Sequence, residues 1–362
     1  MVTASRYAPE TAASRATVEL RELEASDPRW GAFVAAHGAA LAFHTPAWVE
    51  SLADCYGHRP FVLAVMDGDD VAAGVPVIEV RTLRRRRRWV SLPFTDACPP
   101  LLTPSVDSGK FAAALAAARS AAAVDSFEVR APLTEMHVAH PCCDAVTHTT
   151  RLSVEADELR KRFHRSQVQR NIRRAERESK LTIRRGDQAR DLTETFYRLH
   201  VQTRRRLGMP VQPRRFFEAL WSHVLAAGHG SLLLAETAGR TAVAGAVFLG
   251  GTATLTYKYG ASDAAFWGLR PNHLLFWHAI RAACEDGYDS FDWGRTDLAD
   301  VGLRTFKSGW AADESRLVYT TLADAAPQPR SGRGLAAARV VLRRSPTLAC
   351  RVTGELLYRY AA

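Results

Sequence analysis

The chain has 362 residues, 47% of them hydrophobic, with a formal net charge of +10 and a pI of about 9.6. This length and apolar content predict two domains, or one domain with a duplicated core, and exclude a largely disordered chain. The excess of positive charge favours an anionic partner such as RNA, a nucleotide or an anionic lipid surface.

The N-terminus and the cysteines favour a cytoplasmic protein. Residues 1–17 lack the apolar core of a signal peptide and are predicted to be disordered. No run approaches the roughly 20 apolar residues of a membrane span, although a peripheral contact with the inner face of the membrane stays open. The six cysteines form no CxxC pair, and no His/Cys cluster has metal-ligand spacing, so we expect no metal and no bound cofactor.

Two segments repeat each other at an offset of 171. CYGHRPFVLAVMDGDDVAAGVPVI (55–78) aligns without a gap with AAGHGSLLLAETAGRTAVAGAVFL (226–249). Each copy reads as Gly-His, an apolar strand, a turn containing Gly and a second apolar strand, which predicts a β-hairpin. A helix is predicted before each hairpin, over 46–57 and 214–228. The duplication predicts an α/β fold with mixed sheets, built from two similar halves.

The first half, predicted as a domain over 18–150, contains a run of arginines and one notable carboxylate. The run Arg84–Arg88 is predicted to form a hairpin tip, because adjacent like charges repel and need water. Asp96, in SLPFTDACPPLL, lies where the first half would open a crevice. A carboxylate there could hold or deprotonate an incoming amine, or it could simply belong to a turn before two prolines.

The segment 151–210 joins the halves and is strongly basic. Residues 157–190 contain twelve Lys and Arg against five Asp and Glu. The apolar positions predict a helix with one buried stripe, formed by Leu159, Phe163, Val168, Ile172 and Ala175. On the other faces, four arginines are candidates for an RNA-binding surface or for a plain solvated face: Arg165, Arg170, Arg173 and Arg174. A second helix is predicted over about 188–206.

The second half, predicted over 211–322, offers a phosphate site. Gly268 and Arg270 precede Pro271-Asn272, where a helix should begin, and a helix N-terminus behind such a loop attracts anions. Each of these residues could equally be an ordinary helix start.

Two tyrosines lie two residues apart in TATLTYKYGAS. We expect Tyr257 and Tyr259 on one face of a strand and Lys258 on the other. Tyr259 is the candidate proton donor, with simple packing as the alternative.

The stretch FDWGRTDLADVGLRTFKSGW (291–310) places charges and an isolated lysine among aromatic residues. Asp292 and Arg295 follow a strand end, where polar side chains often line a ligand crevice; Asp297 is more typical of a turn. Lys307 could stabilise an oxyanion, or it could be an ordinary surface lysine. The remaining segment, 323–362, reads as a linker and a basic amphipathic helix that packs on the domain or lies on lipid.

Taken together, these motifs resemble the FemAB-like branch of the GNAT superfamily of N-acyltransferases. The resemblance covers roughly 40–320 and is carried by the two hairpin units and by four stretches: HRSQVQRNIRRAERES, TRRRLGMPVQPRRFFEAL, GLRPNHLLFWHAIRAACEDGYDSFDWG and GLRTFKSGW. It implies two GNAT-like domains with a cleft between them, in a short form without a coiled-coil arm.

The resemblance also implies roles for residues. Lys307 would lie near the reacting carbonyl, the catalytic set being Lys307, Asp292, Asp96 and Tyr259. The donor phosphate would be bound by Gly268, Arg270, Asn272, Arg295 and Arg304. The reaction would be amide bond formation from an activated acyl group to an amine of a cell-envelope precursor or a secondary metabolite.

Two co-substrates and two other functions stay open. Aminoacyl-tRNA is slightly favoured over acyl-CoA, because the joining segment is basic. The alternatives are an acyl-CoA-dependent enzyme acting on an amino sugar of an exopolysaccharide or lipid-linked glycan, and a non-catalytic basic RNA-binding adaptor.

Overall fold

The computed structural model describes residues 18–82, 86–153, 155–178, 180–327 and 340–358; the predicted disordered segment 1–17 and the tip of the arginine run lie outside them. The strands are β1 (Arg21–Leu23), β2 (Arg59–Asp67), β3 (Asp70–Arg81), β4 (Arg87–Val90), β5 (Leu101–Leu102), β6 (Ser126–Val129), β7 (Ala139–Arg151), β8 (Thr182–Arg185), β9 (Gly230–Glu236), β10 (Ala242–Gly250), β11 (Thr254–Ser262), β12 (Ser290–Asp292), β13 (Thr296–Asp297) and β14 (Ala312–Leu322).

The α-helices lie on both halves of the chain. They are α1 (Pro28–Ala36), α2 (Pro46–Tyr56), α3 (Ser108–Ala121), α4 (Ala156–Arg162), α5 (Arg170–Glu178), α6 (Tyr197–Leu207), α7 (Arg214–Leu220), α8 (Pro271–Glu285), α9 (Val301–Ser308) and α10 (Thr347–Leu357). Shorter 3₁₀ turns span Ala42–His44 and Ala264–Leu269, and π-helical turns span Arg165–Gln169, Asp191–Phe196 and Trp221–Leu225.

Local sequence sets the ends of these helices. The Thr45 side chain accepts a hydrogen bond from the amide of Trp48 and Pro46 occupies the first turn of α2, while Gly57 ends that helix at φ +65°. Asp107 caps α3 in the same way through the amide of Lys110.

All the strands of the described residues belong to one mixed sheet. Its main path runs β1-β2-β3-β4-β6-β14-β7-β12-β11-β10-β9-β8. The long strands β7 and β14 pair with each other in the middle of this path, and β14 also pairs with β6. The sheet is therefore continuous from the first half of the chain to the second.

The two predicted hairpins both form, as β2–β3 and β9–β10. In the first hairpin Ala64 is paired with Gly74, and in the second Ala235 is paired with Ala244. At the offset of 171 the two registers therefore differ by one residue, and the register of the second hairpin shifts between Ala242 and Ala244. The prediction of an α/β fold with a repeated strand–turn–strand unit is confirmed.

The basic joining segment folds as two helical stretches rather than one. All five residues of the predicted stripe are buried, at 0–1% exposure. The chain breaks between α4 and the turn Arg165–Gln169, where His164 accepts a hydrogen bond from the amide of Gln167. The predicted second helix is the π-helical turn Asp191–Phe196 continued by α6.

Candidate active site

Lys258 is the extra residue of a β-bulge in β11. Across the strand pair β10–β11, Val247 is paired with Tyr259 and Phe248 with Tyr257, which leaves Lys258 without a partner in the strand register. Tyr257 therefore packs on Phe276, whereas Tyr259 packs on the opposite face of the sheet. The expectation that the two tyrosines share a face is wrong, because the bulge breaks the alternation.

Tyr259 packs in an aromatic cluster. Its ring lies 5.8 Å from each of the Phe216 and Phe217 rings and 6.1 Å from His200. The side chain is 9% exposed, and burial raises its pKa well above the ordinary value. A proton donor role for Tyr259 stays a prediction, and packing by itself accounts for these three ring contacts.

Asp96 is presented by a turn with a strained backbone. Leu92 and Phe94 adopt φ of +68° and +59°, a conformation that non-glycine residues rarely adopt and that clusters at functional sites. Four side chains bind this turn from outside. Trp48 Nε1 donates to Thr95 Oγ1 at 2.9 Å, Arg130 donates to the Thr95 carbonyl, His44 Nε2 donates to the Pro99 carbonyl at 2.8 Å, and the Tyr319 hydroxyl donates to the Asp96 carbonyl at 2.6 Å.

Lys258 connects the two halves at this turn. Its ammonium donates to the Phe94 carbonyl at 2.7 Å and to Asp96 Oδ1 at 3.2 Å. The side chain is 4% exposed, and its Nζ lies 5.0 Å from the ring centroid of Phe43 and 5.6 Å from that of Trp48. Burial lowers the pKa of Lys258, while the Asp96 carboxylate opposes that shift.

Gly294 lies where β11 and β12 diverge. The pairing of these parallel strands ends at Thr256 and Asp292, and Gly294 follows with φ +67°. A Cβ at this position would lie 3.0 Å from Asp96 Oδ2 and 3.0 Å from the Tyr257 carbonyl oxygen. A larger residue would therefore crowd the carboxylate and β11, in a backbone conformation that favours glycine.

Asp292 binds the backbone of the same glycine. Its Oδ1 accepts hydrogen bonds from the amide of Gly294 at 2.9 Å and from the Thr147 hydroxyl at 2.7 Å. Burial raises the pKa of Asp292, against the lowering effect of these two hydrogen bonds.

Lys307 lies on α9, with a side chain buried to 2% exposure. Its Nζ donates to the carbonyl oxygens of Trp293 at 2.6 Å, Gly294 at 2.8 Å and Arg295 at 3.5 Å. Burial lowers its pKa to about 8, and the nearby carboxylates Asp96 and Asp292 oppose the shift. The reading of Lys307 as a surface lysine is therefore wrong.

We refer to Asp96, Lys258, Asp292, Gly294 and Lys307 as the junction cluster. Asp96 comes from the first half of the chain and the other four from the second. Two ammonium groups and two carboxylates meet around one glycine, in a place largely shielded from water. Such an arrangement can hold an amine, accept its proton and stabilise a developing negative charge. The sequence pattern does not indicate a site role for Lys258 or Gly294. The alternation of residues along β11 does not predict a bulge.

A cavity of about 400 Å³ opens near the start of α8. It lies between α5, the first turn of α8 and α9, and its lining includes Arg170, Asn171, Arg270, His273 and Phe306. Phe306 precedes Lys307 on α9, but no member of the junction cluster is among the residues that line the cavity. Burial lowers the pKa of His273 to about 4, so its ring is neutral near pH 7, and its Nε2 donates to the Gln167 carbonyl at 3.0 Å.

The predicted donor residues separate into two groups. Arg270 lines the cavity at φ +58° directly before α8, which begins at Pro271 as predicted; Gly268 and Asn272 flank it but are not among the lining residues. Arg295 instead contacts Asp297 and lies 2.9 Å from Asp144. Arg304 binds both oxygens of Glu314, at 2.8 and 2.7 Å. Carboxylates pair with both Arg295 and Arg304 in this structure, and their binding to a donor phosphate stays a prediction.

The four candidate RNA-binding arginines are all exposed. Arg165 and Arg170 lie on the turn before α5 and on its first residue, and Arg170 also reaches the cavity. Arg173 and Arg174 contact Gln169 and Glu178 of their own helical segment. The basic surface therefore borders the cavity on one side.

Metal ligation and membrane spanning can be assessed for the described residues alone. Within them, no group of His, Cys, Asp and Glu side chains is arranged to hold a metal ion. Every helix in those ranges is too short or too polar to span a bilayer.

Comparisons with known proteins identify the second half. Residues 162–308 match the family described as acetyltransferase (GNAT) domain. No curated protein matches the sequence.

Solved structures extend the similarity to most of the chain. FemX matches with a TM-score of 0.68 at 16% identity, over 84% of this chain and 97% of that one. L-PGS from Bacillus licheniformis has a TM-score of 0.51 at 14% identity, with coverage of 89% and 97%. A tandem GNAT protein from the clavulanic acid biosynthesis pathway has a TM-score of 0.50 at 12% identity, with coverage of 86% and 100%. At these identities the likeness concerns the fold.

The family match, the repeated hairpins and the shared fold agree with one another. Residues 162–308 match a GNAT acetyltransferase domain, and most of the chain shares the fold of FemX and of the tandem GNAT protein.

Proposed function

We propose that the protein is an N-acyltransferase that forms an amide bond at the junction cluster. The observation that carries the proposal is the buried meeting of Asp96 and Lys258 from opposite halves with Lys307, which follows the cavity-lining Phe306 on α9. Amide formation requires an amine to lose a proton and a carbonyl oxygen to gain negative charge. The cluster offers a carboxylate for the first event and an ammonium for the second.

Asp96 is the proposed site of the acceptor amine. Its Oδ1 binds Lys258, while its Oδ2 faces Gly294 at the divergence of β11 and β12. An ammonium that enters beside Oδ2 would be attracted by the carboxylate and could transfer a proton to it. Asp292, whose pKa is raised by burial, is the second candidate for this transfer.

Lys307 is the proposed stabiliser of the tetrahedral oxyanion. Its bond to the Arg295 carbonyl, at 3.5 Å, is the longest of its three. That proton can be redirected to a substrate oxygen while the bonds to Trp293 and Gly294 keep the ammonium in place. Tyr259 would act only in ordering the acceptor, because aromatic rings pack around it.

The donor is proposed to bind through the cavity, with Arg270 and Arg170 contacting its phosphates. Aminoacyl-tRNA is slightly favoured over acyl-CoA, because Arg165, Arg173 and Arg174 extend the positive surface beyond the space that a small co-substrate needs. FemX and L-PGS support this choice only by their similar fold. The acceptor would be an amine of a cell-envelope precursor or of a secondary metabolite.

Binding measurements at two salt concentrations test the donor. We expect charged tRNA to bind with an affinity that falls steeply as salt increases, since each phosphate contact releases counterions. Binding of a CoA thioester without affinity for tRNA at physiological salt would reject the tRNA version and favour the CoA-dependent alternative, with an amino sugar as acceptor.

Arg270→Gln is expected to raise the KM for the donor about tenfold, because one charge-assisted hydrogen bond to phosphate is lost. The value of kcat should change little, since the residue does not reach the junction cluster. Steady-state kinetics with varied donor would measure both quantities.

Arg281→Gln is the matched control. Arg281 lies on α8, the helix that begins after Arg270, is exposed and pairs with Glu285, so its replacement should leave the KM unchanged. Equal effects of the two substitutions would contradict a donor site at Arg270.

We assign the predicted domains to this scheme as a proposal. Residues 18–150 would form the acceptor-side domain, 151–210 the basic joining segment and 211–322 the donor-side domain, followed by a linker and helix over 323–362. The non-catalytic RNA-binding adaptor is the competing function; it requires that loss of Lys307 leaves the biological phenotype intact.

A further inference from the structure

The C-terminal helix α10 packs across the side of the turn that presents Asp96. Tyr358, directly after the helix, lies 4.9 Å from the ring of Phe94 and 6.2 Å from that of Tyr56. Phe94 is two residues from Asp96, and its carbonyl accepts the hydrogen bond of Lys258. Tyr358 is 9% exposed, so it covers this side of the junction cluster.

Hydrogen bonds and apolar contacts hold the helix on the domain, and Cys350 and Tyr358 belong to its hydrophobic core. Arg205 Nε donates to the Ser345 carbonyl at 2.8 Å, and the amide of Arg214 donates to Glu355 Oε1 at 3.1 Å. Cys350 is fully buried and Gly354 lies against the backbone of Val211. None of the described residues after 322 is part of the sheet, so lifting the helix leaves every strand pair intact.

The opposite face of the same segment is apolar and basic. Val341, Leu348 and Val352 are 64%, 66% and 48% exposed. Arg343 and Arg344 are also exposed near them, whereas the guanidinium of Arg351 lies 5.7 Å from the ring centroid of Tyr197 on the domain. Apolar side chains surrounded by arginines suit the interface of an anionic membrane, where the former enter the acyl boundary and the latter contact phosphates.

We propose that α10 is a cover over the acceptor side of the junction cluster, and that an anionic lipid surface binds its outer face and draws it away. The two faces of one helix then couple membrane binding to opening of the site. This inference rests on the proposed function in one respect only: it takes the side of the junction cluster near Asp96 to be where the acceptor binds. Lipid binding and thiol exposure need no catalysis, so a failure in either is distinct from a failure of the acyltransferase proposal.

Vesicle sedimentation tests the outer face. The full chain should pellet with vesicles that contain phosphatidylglycerol and remain in solution with pure phosphatidylcholine. Leu348→Asp combined with Val352→Asp should lower pelleting at least tenfold. Val301→Asp is the matched control, because Val301 is equally exposed at 66% but lies on α9. Equal pelleting of the double variant and the control would overturn the proposal that the outer face of α10 binds lipid.

Thiol labelling followed by mass spectrometry tests whether α10 moves away from the domain when lipid binds. Cys55 is 5% exposed beneath α10, beside Arg215, which pairs with Glu355. Anionic vesicles should increase the labelling rate of Cys55 and Cys350 at least fivefold, while Cys284 on α8 stays protected. If the protein bound vesicles without increased labelling of Cys55 and Cys350, the proposal that lipid draws α10 away from the domain would be overturned.

Gly354→Ala provides the same readout without lipid. A methyl group at this position would overlap the backbone carbonyl of Val211, so the helix must move outward. Labelling of Cys55 should then be fast in solution, with Cys284 again protected as evidence that the domain remains folded. Slow labelling of Cys55 in this variant would show that the helix is no cover.

Discussion

Replacing Lys307 by alanine is expected to lower the rate of acyl transfer by about 10²–10³-fold, the usual effect of removing one donor from an oxyanion site. The loss should appear in kcat, because the proposed interaction forms in the transition state and not with either substrate alone. Single-turnover transfer from a labelled donor would measure it. Lys161→Ala is the control: Lys161 is exposed and contacts Glu158 on its own helix.

The pH dependence tests the same residue in another way. Because burial lowers the pKa of Lys307 to about 8, the ammonium is lost as the pH rises through that value. The rate should therefore decline above about pH 8, although the acceptor amine becomes more reactive there. A rate that climbs steadily to pH 10 in the unsubstituted protein would contradict a role for the charged lysine.

The contribution of Lys307 to stability should rise with pH over the range in which the rate is expected to decline. Between about pH 8 and the ordinary lysine pKa of 10.5, the folded protein has released a proton that the unfolded chain still binds. The contribution of Lys307 to the free energy of unfolding therefore increases across that window. An activity that falls while stability rises would separate a catalytic effect from unfolding.

The repeated hairpins show what the sequence could predict. A Gly-containing turn between two apolar runs specifies a hairpin from local sequence alone. The ungapped alignment at an offset of 171 then predicts that a second segment forms the same kind of hairpin. The buried stripe of the joining segment was equally readable, because helical periodicity depends only on residues a few positions apart.

The candidate site was only partly predictable, because its contacts join distant parts of the chain. The sequence indicated Asp96 and Lys307 but not their geometry. The bulge at Lys258 depends on the pairing of β10 with β11, and the ion pair of Arg304 depends on Glu314 of a later strand. Tyr358 could not be placed on Phe94 either, since most of the chain separates them.

Substitutions of Asp96 and Lys258 should distinguish most clearly an effect on the rate of acyl transfer from an effect on the stability of the fold. Asp96→Asn removes the carboxylate while keeping its shape, and leaves the Lys258 ammonium buried without an opposite charge. We expect the free energy of unfolding to fall by about 1.5–3 kcal/mol and the rate of transfer by about 10²-fold or more. Denaturant unfolding and single-turnover kinetics measure the two effects.

The double variant Asp96→Asn with Lys258→Met decides between the two roles. Removing the ammonium as well leaves no unpaired charge, and the methionine can pack against Phe43 and Trp48, so most of the lost stability should return. The rate should not return, because the acceptor amine still lacks its carboxylate. If the double variant regained both stability and activity, Asp96 would be a structural partner of Lys258, and the proton would have to go to Asp292 instead.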